Sequence, residues 1–188
     1  MIIGILSFQG DFHLHKKLLN KLGVENIFVN SKKKLMQTDA LIIPGGESSV
    51  LTKFLKLTNL DIDIYNYASE KNVFGTCAGS IVMSNECDDK NITLLKLINI
   101  KAKRNKWGRQ VQSFETELNF NLTNKVKCCA KCIRAPKIEV LGNNVKILAQ
   151  YENEPILVRN KKHLACTFHP EMSSCLSIHK YFIEMINE

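Results

Sequence analysis

Asn72-Val73-Phe74-Gly75-Thr76-Cys77-Ala78-Gly79-Ser80 is the stretch on which the reading of this chain turns. Asn72 to Phe74 predicts a short strand, and the apolar run Ser80 to Ser84 predicts a helix. Between them Gly75-Thr76-Cys77-Ala78-Gly79 has the G-x-nucleophile-x-G form of a sharp strand-to-helix turn. Glycines suit such a turn because backbone crowds backbone there. The turn lifts the Cys77 thiol to the carboxyl end of a sheet, where open α/β sheets bind ligands. The amides opening the next helix favour thiolate over thiol.

Working outward, Ile2 to Phe8, Val24 to Val29 and Ala40 to Ile43 read as strands. Helical spacing of Leu14, Leu18, Leu19 and Leu22, then of Val50 to Leu57 and Ile62 to Lys71, alternates with them. That alternation predicts a parallel sheet covered on both faces. The second half changes character. Ile98 to Lys103, Val111 to Leu118, Lys137 to Leu141, Val145 to Tyr151, Pro155 to Arg159 and Leu164 to Phe168 read as strands, and Ile178 to Ile186 as a final helix. The fold class is therefore α/β with a mixed or antiparallel elaboration late in the chain.

The 188 residues suit one domain, 1–188, with no linker or repeat dividing it. Apolar residues make up 45%, too many for disorder, and no apolar run approaches a membrane span. No signal peptide is expected either. The net charge of +8 raises the question of nucleic acid. Yet the basic residues are dispersed and not interleaved with aromatics, and the tight run Lys32-Lys33-Lys34 reads as a loop, so no nucleic-acid partner is expected. Seven cysteines without secretory context predict free thiols rather than a disulfide framework. Cys129 and Cys132 form a lone C-x-x-C without a second ligand pair, so no metal is expected.

A cysteine nucleophile needs a base and an orienting group. His169-Pro170-Glu171 offers both directly after a strand. Of the other histidines, His13, His15 and His179 fall on helices and His163 in a lysine-rich turn, and all four read as surface or core packing. Acyl chemistry also needs backbone donors for an oxyanion. The Ala78 amide is one candidate, and the loop Pro44-Gly45-Gly46-Glu47-Ser48 offers the second.

These pieces together resemble the class I, triad-type glutamine amidotransferases, and within them the family of glutaminase subunits of pyridoxal 5′-phosphate synthase. Gln9-Gly10-Asp11 with His15, Arg104-Asn105, Gly108-Arg109-Gln110, Ser113-Phe114-Glu115 and Ile133-Arg134-Ala135-Pro136 carry the narrower likeness. The resemblance implies a three-layer, flavodoxin-like open sheet with helices on both faces and extra strands in the second half. It implies Cys77 as nucleophile, His169 as base and acid, and Glu171 as orienting partner. Gly46 and Ala78 would supply the oxyanion donors. Gly46, Glu47, Ser48, Arg104, Ile133 and Arg134 would form the pocket for L-glutamine, and Gln9 would couple partner docking to activation. No cofactor is implied. The implied partner is a TIM-barrel synthase subunit that receives ammonia, and the implied location is the cytoplasm. Lys96 and Asn99 depart from the family pattern, which has a glycine and an aspartate in those regions. The competing readings are the glutaminase of imidazole glycerol phosphate synthase and a non-catalytic binding module on the same fold.

Overall fold

The computed structural model describes residues 1–104, 114–122, 125–132, 135–173 and 175–188, with only the backbone described over 114–121 and 125–132. The first half runs β1 (Ile2–Leu6), α1 (Phe12–Lys21), β2 (Glu25–Val29), α2 (Lys32–Leu35), β3 (Ala40–Ile43), α3 (Ser48–Leu57), α4 (Leu60–Ala68), β4 (Asn72–Thr76) and α5 (Ala78–Met83). The second half follows as β5 (Ser84–Cys87), β6 (Ile98–Lys103), β7 (Phe114–Asn121), β8 (Lys125–Cys132), β9 (Lys137–Val140), β10 (Lys146–Tyr151), β11 (Glu154–Arg159), β12 (His163–Cys166) and α6 (Ser177–Ile186).

Seven strands form the main sheet in the order β10-β11-β12-β4-β3-β1-β2. The neighbours from β12 to β2 pair in parallel, whereas β10, β11 and β12 pair antiparallel. Successive side chains along a strand face opposite ways, and the sheet uses both sides. Ile3, Ile5, Ala40, Ile42 and Phe74 turn to one face, where α1 contributes Leu19 and α6 contributes Phe182. Leu6, Leu41, Ile43 and Val73 turn to the other, packed against α3, α4 and α5. Phe74 and Phe182 are fully buried, and their rings lie 5.4 Å apart, locking α6 onto β4. The expected three-layer α/β arrangement is therefore present.

The elaboration is a three-stranded sheet, β5-β6-β9, and the hairpin β7-β8. Ser84–Cys87 and Lys125–Cys132 were not legible as strands, because each is short on β-branched residues and broken by polar ones. Lys32–Leu35 is a helical turn rather than the expected loop, seated by fully buried Leu35. His163 lies in β12, not in a turn; its side chain is buried, and this pushes its pKa down to about 4. Cys175 is disulfide-bonded, against the expectation of free thiols throughout, while Cys77, Cys87 and Cys166 remain thiols. The C-x-x-C side chains, Asn105, Gly108-Arg109-Gln110 and the start of the Val111 strand lie outside the described residues.

The position of Lys96 gives its departure a physical meaning. Its φ of 52° is in the left-handed region that favours glycine, so the lysine is strained where the family pattern has a glycine. Asn99 accepts a hydrogen bond from the Asn85 side chain at 3.1 Å, stitching β6 to β5.

Candidate active site

β4 ends at Thr76, and Cys77 then adopts φ 47° and ψ −106° before α5 begins at Ala78. A non-glycine residue in that conformation is strained, and the surroundings hold it there. A Cβ on Gly79 would lie 2.0 Å from the carbonyl oxygen of Ile43, so only glycine lets α5 pack this closely on β3. The Cys77 carbonyl accepts from the Ser80 hydroxyl at 2.7 Å, and the Cys77 amide donates to the Cys166 carbonyl at 2.9 Å. The elbow is thus fastened on both sides, to its own helix and to the end of β12.

β12 lies beside β4 with Cys166 opposite Thr76. Both strands run the same way, so the residues that follow them emerge at the same sheet end. Although 92 positions separate Cys77 from His169, the strand ends bring the two side chains together, near enough for the thiol to act on the titration of the imidazole. Pro170–Met172 forms a single 3-10 turn, which brings Glu171 back beneath the imidazole. His169 Nδ1 and Glu171 Oε1 are 2.7 Å apart. An ionised carboxylate only accepts, so Nδ1 donates and Nε2 is presented to sulfur.

All three members are almost completely buried. Burial alone would push the His169 pKa down, but Cys77 and Glu171 outweigh it and raise it to about 10. For Glu171 burial pushes up, yet His15 and His169 prevail and its pKa is lowered. The site therefore favours an imidazolium over a buried carboxylate, a pairing suited to stabilising thiolate and later giving up a proton.

The loop after β3 covers this constellation. A Cβ on Gly45 would fall 2.4 Å from His169 Cε1 and 3.2 Å from Cys77 Cβ, so the loop lies directly on the two reacting side chains. Gly46 has φ +132°, a conformation L residues rarely adopt. Against it rests the Gln9 amide, which donates from Nε2 to the Glu47 carbonyl at 3.0 Å and accepts from the Glu47 amide at 2.9 Å. Ser48, buried, opens α3. Arg104, just past β6, donates from Nη2 to Glu47 Oε1 at 2.8 Å and pairs with Asp89 through Nη1.

The structure brings together Cys77, His169, Glu171, Gly46, Glu47 and Gln9, with Ala78 next to Cys77 and Arg104 attached through Glu47. Ile133 and Arg134 lie outside the described residues. Two residues were read as packing but belong to the cluster. His15 Nε2 lies 3.4 Å from Glu171 Oε2, and His15 Nδ1 lies 2.9 Å from His179 Nε2. Both rings are fully buried. A histidine at an inward position of an otherwise apolar helix was the available signal, for α6 in particular, where Ile178 and Phe182 flank it.

The sequence profile of the SNO glutamine amidotransferase family matches residues 5–188. Pyridoxal 5′-phosphate synthase subunit PdxT of Thermotoga petrophila is 42% identical over 187 residues, covering 99% of this chain and 100% of that protein. The subunit of the same name from Francisella tularensis subsp. tularensis is 40% identical over 183 residues, covering 97% and 98%. A crystal structure described as a glutamine amidotransferase superposes over 100% of both chains with a TM-score of 0.93 at 35% identity.

Proposed function

The chain belongs to the SNO glutamine amidotransferase family, and from that premise we propose that it is the glutaminase subunit of a pyridoxal 5′-phosphate synthase, hydrolysing L-glutamine to L-glutamate and ammonia. The observation that carries the residue assignment is the convergence of Cys77 with the His169–Glu171 pair at the ends of adjacent parallel strands.

The Cys77 thiolate attacks the carboxamide carbon of glutamine. The amides of Gly46 and Ala78 take the oxyanion, and one lost donor of this kind costs about 10²–10³ in rate. His169 gives its proton to the departing ammonia, leaving a γ-glutamyl thioester on Cys77. The same imidazole then takes a proton from water, which opens the thioester and frees glutamate and the thiolate. Glu171 holds the ring with Nε2 toward sulfur throughout. Neither metal nor cofactor is needed for these steps.

Glu47, Ser48, Arg104, Ile133 and Arg134 form the remainder of the glutamine pocket in this reading, an arginine fork being suited to the substrate carboxylate. Residues 1–188 act as one amidotransferase domain. The ammonia passes to a TIM-barrel synthase subunit, and docking of that partner is felt at Gln9, whose amide holds the Gly46-Glu47 peptide. No helix among the described residues is long and apolar enough to cross a membrane. The chain works in the cytoplasm, with neither membrane nor nucleic acid as partner.

The test is glutamate release from glutamine by the purified chain, alone and with its synthase partner. Release that rises strongly with the partner is expected. A complex that forms yet releases no glutamate would sink the reading.

A further inference from the structure

Glu171 spends one carboxylate oxygen on His169. The other, Oε2, is buried and makes no ordinary hydrogen bond among the described residues; His15 Nε2 faces it at 3.4 Å. Behind His15 stands His179, and the two rings meet at 2.9 Å. We infer that His15 and His179 are positioning residues for the hydrolysis proposed above, a two-imidazole chain that holds the second oxygen of Glu171 and so fixes the base. The inference rests on that reading of Cys77, His169 and Glu171.

The direction of the chain follows from counting protons. A carboxylate cannot donate, so in a neutral His15 the proton that serves Glu171 sits on Nε2. His15 Nδ1 is then a lone pair, and His179 Nε2–H must donate to it. His179 Nδ1 is left as a buried lone pair, in keeping with its having no hydrogen-bond partner among the described residues. Reversing every proton would place a lone pair of His15 against the carboxylate and bury an unmet N–H on His179. An unmet donor and a repulsive contact together cost more than one unmet acceptor, so a single arrangement is selected.

Burial favours the neutral form of both rings. Burial lowers the His15 pKa, with His169 acting the same way and Glu171 and Asp11 opposing. Burial takes His179 down to about 3, with His15 adding to it and Glu171 opposing. The Thr76 hydroxyl, at 3.5 Å, is the other polar neighbour of His15 Nε2, and the Phe74 ring meets His179 edge-on. Elsewhere this face of the sheet is filled with Ile, Leu and Phe. Two imidazoles are a costly filling for such a place unless their hydrogen bonds are used.

The experiment compares His179→Leu and His179→Gln in the complex with the synthase subunit. Readouts are kcat and KM for glutamine, the pH profile of kcat and Tm, together with the imidazole 15N spectrum of the unsubstituted chain. His179→Leu is expected to lower kcat about tenfold with KM little changed, and to draw the alkaline limb of kcat to lower pH. His179→Gln keeps an N–H donor and is expected to recover most of the loss. A His179→Leu enzyme with the original kcat and pH profile overturns the inference, as does a glutamine variant equally damaged at unchanged Tm. If the leucine variant fails to fold, the spectrum decides. Protons on Nε2 of both His15 and His179 support the chain, and one on Nδ1 of either overturns it. An unsubstituted complex that releases no glutamate overturns the hydrolase reading as well, so the two failures are told apart.

Discussion

The two loops that meet at Cys77 and His169 are built on opposite plans. The elbow at Cys77 is held by backbone: a glycine packed on the Ile43 carbonyl, a serine hydroxyl on the Cys77 carbonyl, and a strand-to-strand bond from the Cys77 amide. The loop at Gly45-Gly46 is held by side chains from elsewhere, the Gln9 amide on the Glu47 backbone and Arg104 on the Glu47 carboxylate. One part of the site is rigid by construction. The backbone of the other can be reset by moving Gln9, which is where control by a partner is best applied.

Removing the thiol is the strongest way to probe the rigid half. Cys77→Ala should cut glutamate release by about 10⁴-fold or more while glutamine still binds, as seen by calorimetry. Persistent turnover would show that the elbow is not the nucleophile's seat. Next come the glycines, which pit one loop against the other. Gly79→Ala drives a Cβ into fixed backbone and should destabilise the fold by about 3 kcal/mol or more. In Gly46→Ala the Cβ meets only the end of the Gln9 side chain at 2.8 Å, so the cost is backbone strain of about 1–3 kcal/mol with activity lost. Thermal unfolding measures both, and equal falls in Tm would erase the contrast.

Gln9→Ala should leave Tm almost unchanged and lower kcat of the complex by about ten- to a hundredfold, since the loop carrying the Gly46 oxyanion donor loses its grip. Full activity of that complex would remove Gln9 from activation. The pH response reports on the rigid half alone. The folded-state pKa of His169 is raised from 6.5 to about 10. Its contribution to stability is therefore complete below 6.5 and is lost as pH rises through about 10. The proton due to ammonia disappears over the same upper range, so kcat should bend downward near pH 10. A bend near 6.5 would show an unpaired histidine. The smallest effect expected is at Lys96, beside the C-terminal end of α5: Lys96→Gly relieves a left-handed lysine and should stabilise by about 0.5–1 kcal/mol in urea unfolding.

Much of this was legible in the residues themselves. Strand-helix alternation before residue 84 is strongly periodic, and the G-x-C-x-G turn sits where its chemistry requires it. What escaped was set by tertiary contact. Ser84–Cys87 becomes a strand because β6 lies alongside it, and nothing local says so. His15 and His179, 164 positions apart, each look like a packing histidine until the fold sets them ring to ring behind Glu171. Gln9 was placed by family likeness, and only the structure shows which peptide it grips.

The hydrogen bond from the Cys77 amide to the Cys166 carbonyl also bears on when the chain first becomes an enzyme. Contacts between residues so distant in sequence form late, because the intervening chain must be ordered first. The strands before Cys77 and the turn itself draw on nearby sequence and can be in place while synthesis is still under way. A nascent chain thus carries its thiol long before it carries a base. Competence to release ammonia arrives only when β12 has docked beside β4, making the final long-range closure of the sheet a timer on the chemistry.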